Sequence, residues 1–379
     1  VGSAKRQTKS EVSGENMNAS RNSKLEDKVD VLLVGGGIMS ATLAMLLNKL
    51  DPALEIVLLE KHDAVATESS DAWNNAGTGH AGYCELNYTP QTDDGSISIS
   101  RALSINAAYE VSLQLWASLV EQRVLASPQS FINATPHESF VWGARDVAFL
   151  RERHALLSRH HLFADMQYSE DPEAIAEWMP LIMQQRVVDQ PLAATRVSYG
   201  TDVDFGALTR QLVTALQKQP NFQLFCEHEV EDLTQLVNGR WRLRTKSRSM
   251  EGKKVIEAGF VFLGAGGATL SLLQKSGVAE AKGYGGFPVS GQWLICNTPE
   301  IVGQHRAKVY GKAALGAPPM SVPHLDTRFI NGEPVLLFGP YAGFTTKFLK
   351  RGSYLDLIKS VKSDNLGSLL GVARHNLDL

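Results

Sequence analysis

Three residues in the stretch SVPHLDTR have side chains suited to acid–base and anion chemistry: His324, Asp326 and Arg328. A neutral imidazole accepts a proton near pH 7, and a carboxylate two positions away can orient it or steady its charged form. Alternate positions of an extended segment share a face, so all three side chains point the same way if this stretch is a strand. Arg328 is then a candidate clamp for a carboxylate, against the plainer alternative of a surface ion pair. The plainer alternative for His324 is a histidine packed between strands and hydrogen-bonded to backbone. A second set lies in the polar loop ESSDAWNNAGTGHAGYCELNYTP (Glu68 to Pro90): Asn75, Thr78 and His80, with Gly77 and Gly79 allowing close approach. Loops of this length are functional or disordered more often than not. His80 is a reserve base, or else it makes a loop-stabilising hydrogen bond.

These groups need elements to position them, and the clearest lie near the start. In VDVLLVGGGIMSATLAMLLNKLDPALEIVLLE (Val29 to Glu60) an apolar run meets three glycines, a helix-forming run follows, and a second apolar run ends on an acid. That order is the first half of a dinucleotide-binding fold. Gly35 permits the tight turn, and Gly37 lets backbone approach a pyrophosphate with no Cβ in the way. The helix from Ile38 to Leu50 offers its N–H groups and positive dipole end to phosphate oxygens. Ser40 stands where a third glycine or an alanine is usual; it is small enough for helix and strand to pack closely. Glu60 follows at about the spacing of a carboxylate that accepts hydrogen bonds from a ribose. An ordinary buried βαβ unit with a glycine-rich turn is the alternative.

Further along, helices are expected over Ser104–Leu125, Asp146–His161 and Asp171–Met179, and a capped amphipathic one over Thr201–Lys218. The basic cluster Arg151, Arg153, Arg159, His160 and His161 reads as a solvated helix face, with attraction to an anionic membrane surface as the second choice. Phe222–Phe225, Glu229–Val237, Arg240–Thr245 and Lys254–Glu257 read as a strand and a meander, with a turn at Asn238-Gly239. Phe260–Leu263 is a buried strand running into a second glycine turn (Gly264, Gly266, Gly267) and a helix, Thr269–Lys275. Strand, meander, strand and glycine turn is the order of the large flavoprotein folds, not of a nicotinamide-binding domain. Val289–Cys296, Lys308–Tyr310 and Pro334–Phe338 are strands of a second lobe, whose shape the proline runs around Pro318 and Pro340 help to set.

Composition narrows the function. A chain of 379 residues, 44% hydrophobic, can bury a large core in two lobes. A net charge of −3 with mixed signs gives no footprint for nucleic acid. Cys84, Cys226 and Cys296 lie far apart without metal spacing, so no metal site is expected and free thiols suit a reducing compartment. No apolar run has the length of a spanning helix. The first two dozen residues are polar and free of aromatics, which reads as a disordered tail over 1–28.

The stretches VLLVGGGIMSATLAMLL, WNNAGTGHAGYCELNYTP, GAGGATLSLLQKSG, GAPPMSVPHLDTR and LLFGPYAGFTTKFLK together resemble the malate:quinone oxidoreductase family, from about Val29 to Leu379. The resemblance implies an α/β fold with an α+β cap: a Rossmann-like FAD-binding domain with a β-meander crossover, plus a mixed-sheet substrate domain. The implied division is 29–90, 200–283 and 335–379 for FAD, and 91–199 and 284–334 for the cap. Members of the family continue beyond Leu379 with a glycine-rich segment that closes over the flavin, which implies a C-terminally truncated chain. The implied reaction is oxidation of (S)-malate to oxaloacetate in the tricarboxylic acid cycle. A hydride would pass from the carbinol carbon to flavin N5, and the electrons on to a membrane quinone. The implied place is the cytoplasmic face of the bacterial inner membrane, by peripheral contact.

Such chemistry needs a base, a carbinol hydrogen facing the flavin, and cations on the two carboxylates. His324 is the first choice of base with Asp326 behind it, Arg328 is the clamp, and Lys347 and Tyr341 are weaker carboxylate partners. FAD contacts are expected from Gly35, Gly37, Ser40, Glu60, Asn75, Gly77, Thr78, Gly264 and Gly266. The alternatives are a related FAD enzyme of another 2-hydroxy or 2-amino acid, and a non-catalytic nucleotide-binding protein.

Overall fold

The computed structural model describes residues 25, 27–92, 94–248, 252–313 and 322–374. Most of the expected N-terminal tail, and Pro318 with its neighbours, lie outside these residues. The tail ends earlier than expected, because Leu25 is buried in the core and Lys28 opens the first strand.

The strands, in chain order, are β1 (Lys28–Val34), β2 (Ile56–Leu59), β3 (Ile132–Ala134), β4 (His137–Trp142), β5 (Gln167–Ser169), β6 (Leu192–Val197), β7 (Thr201–Val203), β8 (Phe222–Phe225), β9 (His228–Gln235), β10 (Trp241–Ser247), β11 (Lys253–Leu263), β12 (Val289–Cys296), β13 (Lys308–Tyr310), β14 (His324–Ile330) and β15 (Glu333–Phe344). They form a six-stranded sheet in the order β8-β2-β1-β11-β10-β9 and a seven-stranded sheet in the order β12-β15-β14-β13-β4-β6-β5; β3 and β7 pair separately.

In the first sheet β8, β2, β1 and β11 run parallel, and their near-continuous apolar sequences fit strands covered on both faces. The helices Ile38–Leu50 and Phe205–Leu216 close one face over Leu33, Leu58 and Phe222. Asp204 caps the second helix, accepting the Ala207 N–H at 2.7 Å. Thr201–Val203, expected as that helix's first turn, instead pairs with β3. The other face buries Leu32, Val57, Leu243 and Leu272.

Two expected strands, Lys254–Glu257 and Phe260–Leu263, are one strand. The first half of β11 pairs antiparallel with β10, and its second half pairs parallel with β1. Ala258-Gly259 in sequence looks like a break. In the fold Gly259 leaves room for the Asp30 carbonyl, which a Cβ would meet at 3.0 Å.

The second sheet is antiparallel except where β13 runs parallel to β4. The domain boundary expected at 335 is corrected: it falls inside β15, which pairs with β14 and β12. Asn331 and Gly332 both have positive φ, 54° and 85°, the backbone of a two-residue hairpin turn. That Asn-Gly pair closes the β14–β15 hairpin, pairing Ile330 with Glu333, a turn signal that the expected boundary overlooked.

Candidate functional site

A cavity of about 550 Å³ opens at the C-terminal ends of β1, β2 and β11, the end at which parallel sheets bind ligands. Gly35, Gly36, Gly37, Glu60, Thr67 to Ser70, Gly264 and Gly266 line it, together with Phe348, Arg351, Ser353 and Asp356. The turn tolerates no side chain. A Cβ on Gly35 would stand 2.6 Å from the Gly264 carbonyl oxygen, and one on Gly36 2.8 Å from Val65. Glu60 is buried and spans the turn: its Oε2 accepts the Gly36 N–H at 2.6 Å and its Oε1 the His62 N–H at 2.7 Å. Each oxygen retains a lone pair for a further donor such as a ribose hydroxyl. A bare glycine turn, a helix N-terminus and a buried acid at the next strand's end fit the adenosine diphosphate half of a dinucleotide. Ser40 is not on this wall. It is fully buried, its hydroxyl 2.1 Å from where a Gly264 Cβ would be, so it sets helix-to-strand packing instead.

The loop that leaves this cavity reaches the second sheet within a few residues. Asn75 Nδ2 donates to the Ser69 carbonyl at 2.9 Å on the cavity side, while its own carbonyl accepts from Arg328. Thr78 Oγ1 lies 2.8 Å from the Tyr310 hydroxyl. Asn75, Gly77 and Thr78 therefore stand against the second sheet and do not line this cavity. Gly77, at φ 59°, must be glycine, because a Cβ would sit 2.2 Å from Arg328 Cζ.

On the facing side of that sheet, β14 is extended, and His324, Asp326 and Arg328 share one face with Lys308 and Tyr310 of β13. His324 Nδ1 contacts Asp326 Oδ2 at 2.8 Å. A proton on Nδ1 makes that contact attractive and leaves Nε2 as the acceptor. The imidazole stacks on Tyr310, with centroids 3.9 Å apart, and meets the edge of Trp293 at 5.1 Å. Burial works to raise the Asp326 carboxyl, but His324, Lys308 and Arg328 together hold it below its ordinary value. Burial, then the Asp326 charge, pushes the Tyr310 hydroxyl well up, so it stays neutral.

The clamp expected of Arg328 is corrected. The residue is fully buried: Nε lies 2.9 Å from Asp202 Oδ1, and the other nitrogens donate to Asn75 and to the Val203 carbonyl. Held by these partners and with no exposed surface, it offers no open face to a substrate carboxylate. The weaker candidates point elsewhere: Lys347 Nζ lies 4.4 Å over the Tyr354 ring, and Tyr341 is exposed on β15. His80 pairs with a buried carboxylate too, its Nδ1 2.6 Å from Glu85 Oε1, but 51% of its side chain is in solvent. It makes no contact with His324.

Sequence reasoning missed three buried charges. Arg153, expected on a solvated face, is fully buried; it donates to Thr89 Oγ1, Gly82 O and Tyr83 O and so anchors the loop from behind. Burial lowers its guanidinium to a pKa of about 10. Lys308 and Asp202 pair at 2.9 Å with no exposure. The available signal was a charge alternating with apolar neighbours, as in Ala307-Lys308-Val309. Among the described residues, no cluster of His, Cys, Asp and Glu has the makings of a metal site, and no helix is long and apolar enough to cross a membrane.

Comparison with known proteins adds to this geometry. Residues 27–379 match the family model for malate:quinone oxidoreductase. A probable malate:quinone oxidoreductase of Methylobacillus flagellatus is 66% identical over 351 residues, covering 92% of this chain and 71% of that protein. Another, of Hahella chejuensis, is 64% identical over 352 residues, covering 93% and 71%. Among solved structures, glycine oxidase from Geobacillus kaustophilus superposes with a TM-score of 0.61 at 16% identity, covering 92% of this chain and 78% of that one. L-alpha-glycerophosphate oxidase from Mycoplasma pneumoniae, with FAD bound, gives 0.59 at 16% identity, covering 92% and 79%. At such identity these two establish a shared fold.

Proposed function

The chain belongs to the malate:quinone oxidoreductase family, and we propose that it oxidises (S)-malate to oxaloacetate with FAD as its redox group and a membrane quinone as final acceptor. It is an oxidoreductase of malate. Gly35, Gly36, Gly37, Glu60, Gly264 and Gly266 would hold the adenosine diphosphate half of FAD in the cavity they line. When bound, FAD supplies the acceptor for the hydride that leaves the carbinol carbon.

The chain's own residues do the rest. His324 Nε2 takes the proton of the malate hydroxyl, and Asp326 behind Nδ1 steadies the imidazolium that forms. Tyr310 and Trp293 fix the ring plane and keep water from it. A quinone dissolves in the bilayer, which supports peripheral contact with a membrane surface; the cytoplasmic face of the inner membrane is part of the same proposal. Oxaloacetate as product is consistent with a role in the tricarboxylic acid cycle.

One observation carries this reading: a single loop joins the wall of the nucleotide cavity, at Ser69, to the neighbours of His324, at Asn75 and Thr78. The loop that walls the cofactor seat is thus tied to the strands that carry the base and its neighbours. The test is anaerobic addition of malate to purified holoenzyme. Yellow protein that bleaches, and His324→Gln that stays yellow without bleaching, are the expected results. A preparation that cannot be reconstituted with FAD, or His324→Gln bleaching at the native rate, defeats the reading.

A further inference from the structure

Behind the His324–Asp326 pair lies a set of charges for which proton transfer has no direct use. Asp202 Oδ1 stands 2.9 Å from both Lys308 Nζ and Arg328 Nε, and its Oδ2 accepts the Phe329 N–H at 2.8 Å. Lys308 Nζ also donates to the Ala76 carbonyl at 2.9 Å and lies 3.9 Å from Asp326 Oδ2. All four side chains are fully buried. Removing two cations and two carboxylates from water adds little stability that apolar residues would not, so the return is sought in geometry. That geometry joins two segments far apart in sequence. Thr78 bridges to Asp202 through backbone and bonds to Tyr310, on which His324 stacks.

We propose that the Lys308–Asp202 pair is a positioning element of the malate site: Lys308 holds Asp326 behind His324, and Asp202 ties that assembly to residues 75–78 of the loop. The inference rests on His324 being the base. The groups that face it are Asp326 on its own strand, Tyr310 and Lys308 from β13, and Trp293 from β12. Arg328, Cys84, Glu85 and His137 act on Asp326 or Tyr310 through space. Among these Lys308 is the cation nearest the dyad that is not the base itself. A fixed positive charge beside Asp326 opposes a second one on His324. Without it the imidazole protonates more easily, and a base already protonated cannot accept from malate.

Lys308→Gln removes the charge while keeping an amide donor, on a side chain one bond shorter, that points along the same path toward Ala76 and Asp202. Holoenzyme would be assayed for kcat/KM against pH, with bound flavin per chain read from visible absorbance. The expected result is an acid limb moved up by about one pH unit with flavin content unchanged, and Lys308→Arg restoring the native limb. An unmoved limb in flavin-loaded Lys308→Gln overturns the proposal. So does loss of flavin or of cooperative unfolding, since the pair would then be a plain structural tie. His324→Gln run alongside keeps the two failures apart. If it is inactive while Lys308→Gln shows an unmoved limb, the positioning role falls alone; if it turns over like the native enzyme, the base assignment falls and this inference with it.

Discussion

The two faces of the seven-stranded sheet handle buried charge in opposite ways. On one face Asp326 sits among His324, Lys308 and Arg328, and its carboxyl is held below the ordinary range. On the other face Glu138 of β4 is just as buried, at 0% exposure, among Phe140, Val309 and the helices Pro172–Trp178 and Pro180–Met183. Neither Glu138 oxygen has a hydrogen-bond partner, and Arg196 Nε is 3.5 Å away. Burial drives that carboxyl up to about 8, and Arg196 only partly offsets it. Consecutive residues of the same strands, His137 and Glu138 or Lys308 and Val309, supply the two environments. Depth does not decide the charge state of a carboxylate here; the partners do. The face that collects partners is the one that meets the loop from the nucleotide cavity.

The strongest way to break this comparison is to remove the proposed base. His324→Gln should lower kcat about 100- to 10,000-fold with flavin content intact, measured by steady-state turnover with a dye acceptor. Next comes the ionic face as structure: Arg328→Met leaves Asp202 short of a cation in the interior and should cost about 3–5 kcal/mol, read by chemical denaturation.

The apolar face gives a pH signature. An unfolded Glu ionises near its ordinary value, whereas Glu138 in the fold ionises only near pH 8. The unfolded chain therefore binds fewer protons in that window. The Glu138 contribution to stability is full below the ordinary carboxylate range and is lost as pH rises to about 8. Native protein should lose on the order of a few kcal/mol across that range, and Glu138→Gln should flatten the slope, as shown by melting curves at pH 5 and pH 8. The smallest effect is expected of the other His–carboxylate pair. His80 is half in solvent, so His80→Gln should change kcat within about fivefold; a loss as large as that of His324→Gln would exchange the roles of the two histidines.

Much of the first sheet was legible in sequence because it is built from local signals. The glycine turn, the helix Ile38–Leu50, the strand Phe222–Phe225 and the helix Thr269–Lys275 fall where spacing and composition put them. The continuity of β11 was not, since Ala258-Gly259 mimics a turn and only pairing with two different neighbours straightens it. In the site, the alternation of His324, Asp326 and Arg328 gave their shared face. It said nothing of what lay opposite, and so it offered Arg328 to the substrate when Asp202 already held it. Arg153 went wrong for the same reason: its partners are backbone carbonyls of a loop some seventy residues earlier.

By itself the amino-acid sequence determined a βαβ unit with a glycine turn, a second sheet, and a histidine with a carboxylate two residues on, because short-range spacing and steric rules set each of these. Only the tertiary structure decided which charges are spent on one another. Asp202, Lys308, Asp326 and Arg328 meet through long-range strand pairing, and in a dry interior the Coulomb energy between neighbours a few ångströms apart outweighs any preference written in the local chain.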